Sequence, residues 1–440
     1  MLLVYTTRIN NRINYTFNLI FKDLLGVDIK LTDNSEEFIN EKGPKINYSK
    51  QNFSNEVFFF CSDLLFESGI RGKELTYIEY KGSKAFFPVY NKSSALPFDP
   101  FAASFYLVTR YEEYLPYIKD RYGRFHVKEN MAYKNSFLNK PVVNIWAREI
   151  GLLLMQKYKE FKPILRKFKH IPTIDVDTAY CYRRKGLFRN AGGYLKSLTE
   201  LNFNAISERT KVLLRICDDP YDTYSYQFNI HKKYNLEAVY FILFAAYDEF
   251  DKNIPVQNSK FHELIKSLAD YAKVGIHPSY ASNTDFNKLR DETELLARVL
   301  NREITISRQH YLKIDLPATY RNLLNLNISN DYTMGFAVEP GFRAGICNSF
   351  NFYDLDMDME TGLRIHPFAV MDGTLCDYKQ LSPDQAINEI RSIINEVKDV
   401  DGEFISLWHN DSLSETGRWK GWRRVYEEML AYAAGKNSEQ

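Results

Sequence analysis

Between residues 171 and 306, short β-favouring runs alternate with helical stretches, and this alternation limits the possible folds more than any other feature. The segment beginning at Ile171 and the runs Leu236 to Leu243, Val274 to Ile276 and Glu303 to Ile306 read as strands. His262 to Ala272 and Asp285 to Leu300 read as helices. Strand and helix in strict succession build a parallel sheet or a βα-barrel, with chemistry carried on loops at the strand C-termini. The first part is also α/β in pattern. Leu2 to Thr6 and Val57 to Cys61 read as strands, Tyr15 to Leu25 as a helix, and Lys42 to Asn55 as a polar loop. Pro97 to Tyr114 is a helix with a core-facing aromatic stripe after a Pro-rich start. A helix from Asn144 to Phe161 leads through the basic connector ending at His170 into the second half. The expected organisation is therefore a smaller α/β domain over residues 1–165, followed by a larger α/β domain over 166–440.

The strand starting at Ile171 reads Ile171-Pro-Thr-Ile-Asp-Val-Asp-Thr-Ala179 and ends in two acidic residues, Asp175 and Asp177, at strand spacing. Both side chains project from one face. Two carboxylates so close repel one another unless a cation or shared proton compensates, which suits metal-assisted or acid/base chemistry. A solvated strand end is the plain alternative. Four more segments place polar groups after strand-like runs: Gly275-Ile-His-Pro-Ser279, Arg308-Gln-His-Tyr311, Asp331 to Phe336 together with Gly341-Phe-Arg-Ala-Gly345, and Phe404-Ile-Ser-Leu-Trp-His-Asn410. Histidines at the ends of successive strands fall where α/β folds assemble sites.

In this order the segments resemble the polysaccharide deacetylase family, carbohydrate esterases (family-four-like) that remove acetyl groups from N-acetylated sugars on a distorted (β/α) barrel. Thr173-Ile-Asp-Val-Asp177 is similar to the family's opening Asp motif, and Ile230 to Leu243 to its helix end and second strand. Gly275-Ile-His-Pro-Ser279 is similar to the start of its metal-histidine motif, Arg308-Gln-His-Tyr311 to its arginine motif, and Leu407-Trp-His409 to its closing histidine motif. Phe98-Asp-Pro-Phe-Ala-Ala-Ser-Phe-Tyr106 and Gly123-Arg-Phe-His126 resemble the extra N-terminal domain of a bacterial subgroup. The resemblance implies Asp175 as general base, Asp177 and His277 as metal ligands, His409 as general acid, and Arg308 as the group that orients the base. The roles of Asp175 and Asp177 are interchangeable at this stage. It implies a divalent metal, zinc first with cobalt, nickel or manganese as alternatives. The implied substrate is an acetylated saccharide, a precursor of a bacterial surface polysaccharide.

One position departs from the family pattern. A second metal histidine is expected four residues after His277, where this chain has Ala281. Either His310 or Asp331 takes its place, or the metal binds weakly. A silent relative that only binds a glycan or a partner, and a deacylase acting on another amide or an ester, are the competing readings. Arg343, in its Gly-flanked loop, and Trp408, an amphipathic platform, are candidate substrate contacts along with Asp331; Trp419 and Trp422 are further stacking candidates. His366 and Asp372 are cleft candidates or structural turn residues. Asp354 to Glu360 lacks the Gly and final carboxylate of a calcium loop and reads as a polar strand face.

Composition removes several classes of function. With 57 basic and 56 acidic side chains in 440 residues, the chain has no global field to recruit nucleic acid. No apolar run approaches the roughly 20 residues needed to span a bilayer. The N-terminus reads as a strand rather than a secretory signal, so a cytoplasmic protein is expected. Cys61, Cys181, Cys217, Cys347 and Cys376 are scattered and read as reduced thiols. No dinucleotide, Walker or Gly-x-Ser-x-Gly pattern occurs.

Overall fold

The computed structural model describes residues 1–53, 55–164 and 166–436. Its first part is a four-stranded parallel sheet of β1 (Leu2–Thr6), β2 (Ile29–Thr32), β3 (Lys45–Ser49) and β4 (Val57–Phe60), in the order β2-β1-β3-β4. The segment Lys42 to Asn55, expected to be a loop, thus contains an inner strand. Its polar look misleads because Asn47 and Ser49 are satisfied within the segment: Ser49 Oγ donates to Asn47 Oδ1, and Asn47 Nδ2 donates to the Gln51 carbonyl. A two-stranded hairpin follows, β5 (Tyr77–Tyr80) with β6 (Ser83–Phe86).

The second part is a nine-stranded sheet. Its strands are β7 (Lys169–Val176), β8 (Val239–Leu243), β9 (Lys273–His277), β10 (Ile306–Ser307), β11 (Asn330–Asp331), β12 (Phe350–Asp354), β13 (Met359–Ile365), β14 (Val370–Met371) and β15 (Glu403–His409). They lie in the order β12-β13-β11-β10-β9-β8-β7-β15-β14, with only β12 antiparallel to its neighbour. Of Asp354 to Glu360, expected as a strand face, Asp354 closes β12 and Met359 and Glu360 open β13, while the four residues between them form the turn, where the Asp354 carboxylate accepts from the Asp356 and Met357 amides. The expected boundary near residue 165 falls on Leu165, which lies outside the described residues.

Connectivity shows that this sheet is strongly curled. β13 and β14 stand seven places apart in the strand order, about 34 Å across a flat sheet. Only His366 to Ala369 join them, a stretch that reaches at most about 18 Å. The flanks must therefore approach one another. The linker is held across the gap: Phe368 N–H donates to Met334 O (3.0 Å) beyond β11, and Ala369 N–H donates to Ile405 O (3.0 Å) in β15. Val239 and Phe241 of β8, Met371 of β14, and Ile405 and Leu407 of β15 pack with Tyr332 and Phe368 in a small cluster of their own, lining the inside of the curl. Gly275 belongs to the same geometry, because a Cβ there would lie 2.6 Å from the Ile306 carbonyl oxygen of β10. Any side chain would displace β9 just before His277.

The two parts are joined by buried charge and packing. Glu113 accepts from Arg110 Nε (2.7 Å) and from both Nε and Nη2 of Arg343 (2.9 and 2.7 Å), with all three side chains almost fully buried. Tyr15 OH donates to Asn351 O (2.7 Å), and Arg12 pairs with Asp358 (2.7 Å).

Three histidines away from the C-terminal ends of β7, β9, β10 and β15 are held as neutral rings. Burial, reinforced by His231, pushes His170 down to about 3. Burial lowers His231 to about 4, and burial together with Arg364, Lys273 and Lys169 lowers His366 to about 3. In the unfolded chain each ring titrates near 6.5. Their stability contribution is therefore present above pH 6.5 and is lost as pH falls toward 3 to 4, because protons bind the unfolded state first. Urea unfolding should show a lower midpoint at pH 5 than at pH 7.5, with a smaller difference in His170→Gln. An equal pH response in the two proteins would contradict this assignment.

Candidate active site

The C-terminal ends of β7, β9 and β15 carry Asp175, His277 and His409 into one cavity of about 350 Å³ at the mouth of the curled sheet, together with Asp177 and with His310 just past β10, while Arg308 lies buried behind Asp175. A larger cavity, about 1020 Å³, lies at the opposite strand ends around His170 and Glu403 and contains none of these residues.

Asp177 is the meeting point. Its Oδ1 lies 3.2 Å from His277 Nε2, and its Oδ2 lies 3.5 Å from His310 Nε2 and 3.7 Å from His409 Nε2. Each imidazole is fixed from behind. His277 Nδ1–H donates to the Arg308 carbonyl (2.6 Å), and His310 Nδ1–H donates to Asp251 Oδ1 (2.8 Å), so both turn Nε2 toward Asp177. A carboxylate or carbonyl behind the ring is the support that metal-ligating histidines require. The three ligand atoms of Asp177, His277 and His310 lie within 4.8 Å of one another. Asp177 Oδ1 is buried and makes no hydrogen bond despite its nearness to His277. Two imidazole nitrogens and a carboxylate oxygen converging around such an orphan suit a divalent cation with an open coordination position.

Asp175 is 2% exposed and accepts a hydrogen bond from Arg308 Nη1 at 2.7 Å. Arg308 is fully buried, donates its Nε–H to the Tyr332 carbonyl, and lies 4.4 Å over the Phe241 ring. On the far side, Asp372 accepts from both the His409 backbone N–H (2.7 Å) and His409 Nδ1 (2.8 Å). Burial alone would lower the His409 pKa, but the Asp372 carboxylate outweighs it, with smaller help from Asp177 and Asp175, and holds the imidazole well above its usual range. Burial likewise opposes the charge on His310, yet Asp177 and then Asp251 raise it to about 9. Asp177 itself is held well below the usual carboxylate range: burial raises it, and the facing His310 and His277 imidazoles prevail. A cation bound here would take over from the His310 proton as the counter-charge to Asp177.

The structure separates the remaining candidates. His310 joins the cluster. Asp331 does not: it is fully buried, accepts from Ser307 Oγ and from the Thr333 amide and hydroxyl, and lines no part of the cavity. Arg343, expected to reach substrate, is 2% exposed and held by Glu113 and the Gly335 carbonyl. Trp408 is fully buried against Trp422 and Tyr426, because residues alternate along β15 and its neighbours Leu407 and His409 take the cavity side. Trp419 does line the cavity, donating its Nε1–H to Asp411. His366 lies at the opposite strand ends, bonded to Ser349 and Asn330. Asp251 was missed by sequence reasoning. Its only signal was an acidic side chain in the long loop after β8. Arg124 was missed as well; it crosses from the first part to line the cavity and donates to the Tyr311 carbonyl (2.9 Å).

Residues 2–159 match a family described only as of unknown function, DUF7033. No curated protein matches the chain. Among solved structures, it is similar to a protein assigned as a polysaccharide deacetylase from Mycobacterium smegmatis at 16% identity, over 61% of this chain and 86% of the other, with a TM-score of 0.40. It is also similar to BA3943, a CE4 family pseudoenzyme from Bacillus anthracis, at 12% identity over 60% and 63% of the two chains with a TM-score of 0.29. The polysaccharide deacetylase Bc1974 from Bacillus cereus is similar at 13% identity over 59% and 88%, with a TM-score of 0.26. These are loose likenesses. Among the described residues no helix is long and apolar enough to cross a membrane.

With zinc as the probe in a chelator competition, His310→Ala should weaken binding at least about 100-fold and Asp251→Asn about 10- to 100-fold. Asp331→Asn should leave it unchanged. Wild-type affinity in His310→Ala would remove His310 from the ligand set.

Proposed function

We propose that this chain is a metal-dependent hydrolase that removes an acetyl group from an N-acetylated saccharide, with residues 166–440 forming a distorted (β/α) barrel that carries the reaction and residues 1–165 forming an accessory domain. The observation that carries this reading is the meeting of Asp177, His277 and His310 beside an Arg308-held Asp175 and an Asp372-held His409. The order of the sequence motifs supports the same reading. Asp177, His277 and His310 would hold the ion. A divalent cation there, zinc by the donor set, supplies Lewis-acid polarisation of the acyl oxygen and stabilises the charge that develops on it.

The chain's own groups do the rest. Asp175 takes a proton from the attacking water, and the Arg308 guanidinium fixes which carboxylate oxygen stays free for it. His409, kept protonated by Asp372, delivers a proton to the leaving amine nitrogen as the C–N bond breaks. Tyr311 and Trp419 offer aromatic walls for a sugar ring. The silent reading rests on Ala281, and His310, 3.5 Å from Asp177, supports the active reading by offering a third ligand in place of the expected histidine.

Acetate release from N-acetylated amino-sugar oligomers measures the activity. The zinc-loaded wild type should turn over. Asp175→Asn and His409→Ala should each lower kcat by about 10²- to 10⁴-fold, with His409→Ala retaining its metal. Full metal occupancy with no acetate released from any N- or O-acetylated saccharide would refute the assignment.

A further inference from the structure

Immediately after the Asp-x-Asp strand, residues 183–216 form a helical hairpin of Leu187–Thr199 and Phe203–Leu213 that is inside out. Its first helix buries Asn190 and Ser197 while exposing Leu187 (88%), Phe188 (95%), Leu195 and Leu198. The ridge continues through Leu201 (73%) and Phe203 to Leu213, Leu214 and Ile216. Phe188, Ala191, Leu195 and Leu198 recur at helical spacing, so they form one stripe on one face.

The inward face is held by polar contacts. Asn190 Nδ2 donates to the Tyr182 and Gly186 carbonyls, Tyr194 OH bonds Thr210 Oγ1 (2.9 Å), and the Arg209 guanidinium lies 4.9 and 5.3 Å over the Tyr182 and Tyr194 rings. The hairpin's base is pinned where the Asp219 carboxylate accepts from the Cys181, Tyr182 and Arg183 amides. Contiguous apolar surface of this kind marks an interaction site.

Charge identifies the partner. In a chain of formal charge +1, residues 183–216 carry Arg183, Arg184, Lys185, Arg189, Lys196, Arg209, Lys211 and Arg215 against only Glu200 and Glu208. Arg183, Arg184 and Arg215, with Val212 and Leu213, line a cavity of about 420 Å³ at the open end of the hairpin. Arg183 faces Asp218 at 3.7 Å, whereas among the described residues Arg184 and Arg215 have no carboxylate within ion-pair distance. A second copy pairing through this face would bring like charges together. A helix of this length covers about 20 Å, too short to span a bilayer but long enough to lie in its interface.

We propose that residues 183–216 are a peripheral anchor for an anionic bilayer, with the apolar ridge entering the headgroup boundary and the arginine-lined cavity receiving a lipid phosphate. Thr178 and Tyr221, just before and after the hairpin, line the cavity that holds Asp177. Docking therefore brings the mouth of that cavity toward the lipid surface. The anchor is independent of the hydrolase reading.

Co-sedimentation of the full chain with vesicles of phosphatidylcholine containing roughly one-third phosphatidylglycerol, against phosphatidylcholine alone, tests this. The wild type should partition at least about tenfold better to the anionic vesicles at low salt, and the Leu187→Glu/Phe188→Glu variant should lose at least about tenfold of that binding at an unchanged Tm. Arg184→Glu/Arg215→Glu should lose the preference for the anionic lipid. Equal sedimentation with both vesicles, or wild-type binding by the ridge variant, would overturn the anchor. So would a wild-type dimer that the ridge variant dissolves, which would assign the ridge to a second copy. Complete release by inorganic phosphate at constant ionic strength would assign the arginines to a free anion and overturn the bilayer as their source.

Discussion

Arg308 connects the two chemical sides of the cavity. Its guanidinium fixes Asp175, its backbone carbonyl fixes the His277 ring, and its planar cation rests on Phe241 inside the curled sheet. A fully buried guanidinium needs a charged partner and hydrogen bonds, which Asp175 supplies at Nη1 and the Tyr332 carbonyl at Nε, while Nη2 rests without a partner among the described residues. Removing either side chain leaves the other charge buried and alone, while the Arg308 backbone carbonyl still holds the His277 ring. The proposed base and the proposed metal arm thus meet at one residue, Arg308, whose side chain holds Asp175 and whose backbone holds His277.

The proposed ligand role of His310, in place of a histidine at position 281, is compatible with the same arrangement. β9 and β10 approach closely at Gly275, so a residue two places beyond Arg308 can face Asp177 as readily as a residue four places beyond His277. Asp251 completes the substitution. It accepts from the Tyr280 amide, next to Ala281, and from His310 Nδ1, tying the proposed ligand to the loop that carries Ala281.

Much of this was legible in the sequence. Strand-helix alternation gave β9 to within one residue at each end and located β7 and β8 with starts two and three residues off, and Asp175, Asp177, His277, Arg308 and His409 stood out because each follows an apolar run. Other features needed the third dimension. β3 hides behind polar residues whose hydrogen bonds are local. Asp251 lies in a loop with no periodicity, and nothing in the chain order ties it to His310. Arg343 and Trp408 looked available because Gly-rich loops and indoles often serve ligands. Burial against Glu113 in one case, and the side-to-side alternation of β15 in the other, assign them to packing. The curl of the large sheet was equally invisible, since it follows from pairing β13 and β14 at opposite flanks across a four-residue linker.

The ligand set is the central claim, and anomalous diffraction at the zinc edge from crystals grown with zinc tests it most directly. The account predicts one ion with Asp177 carboxylate oxygen, His277 Nε2 and His310 Nε2 each within about 2.0 to 2.2 Å. An ion bound in the cavity without His310, or no ion between Asp177 and His277, would contradict it.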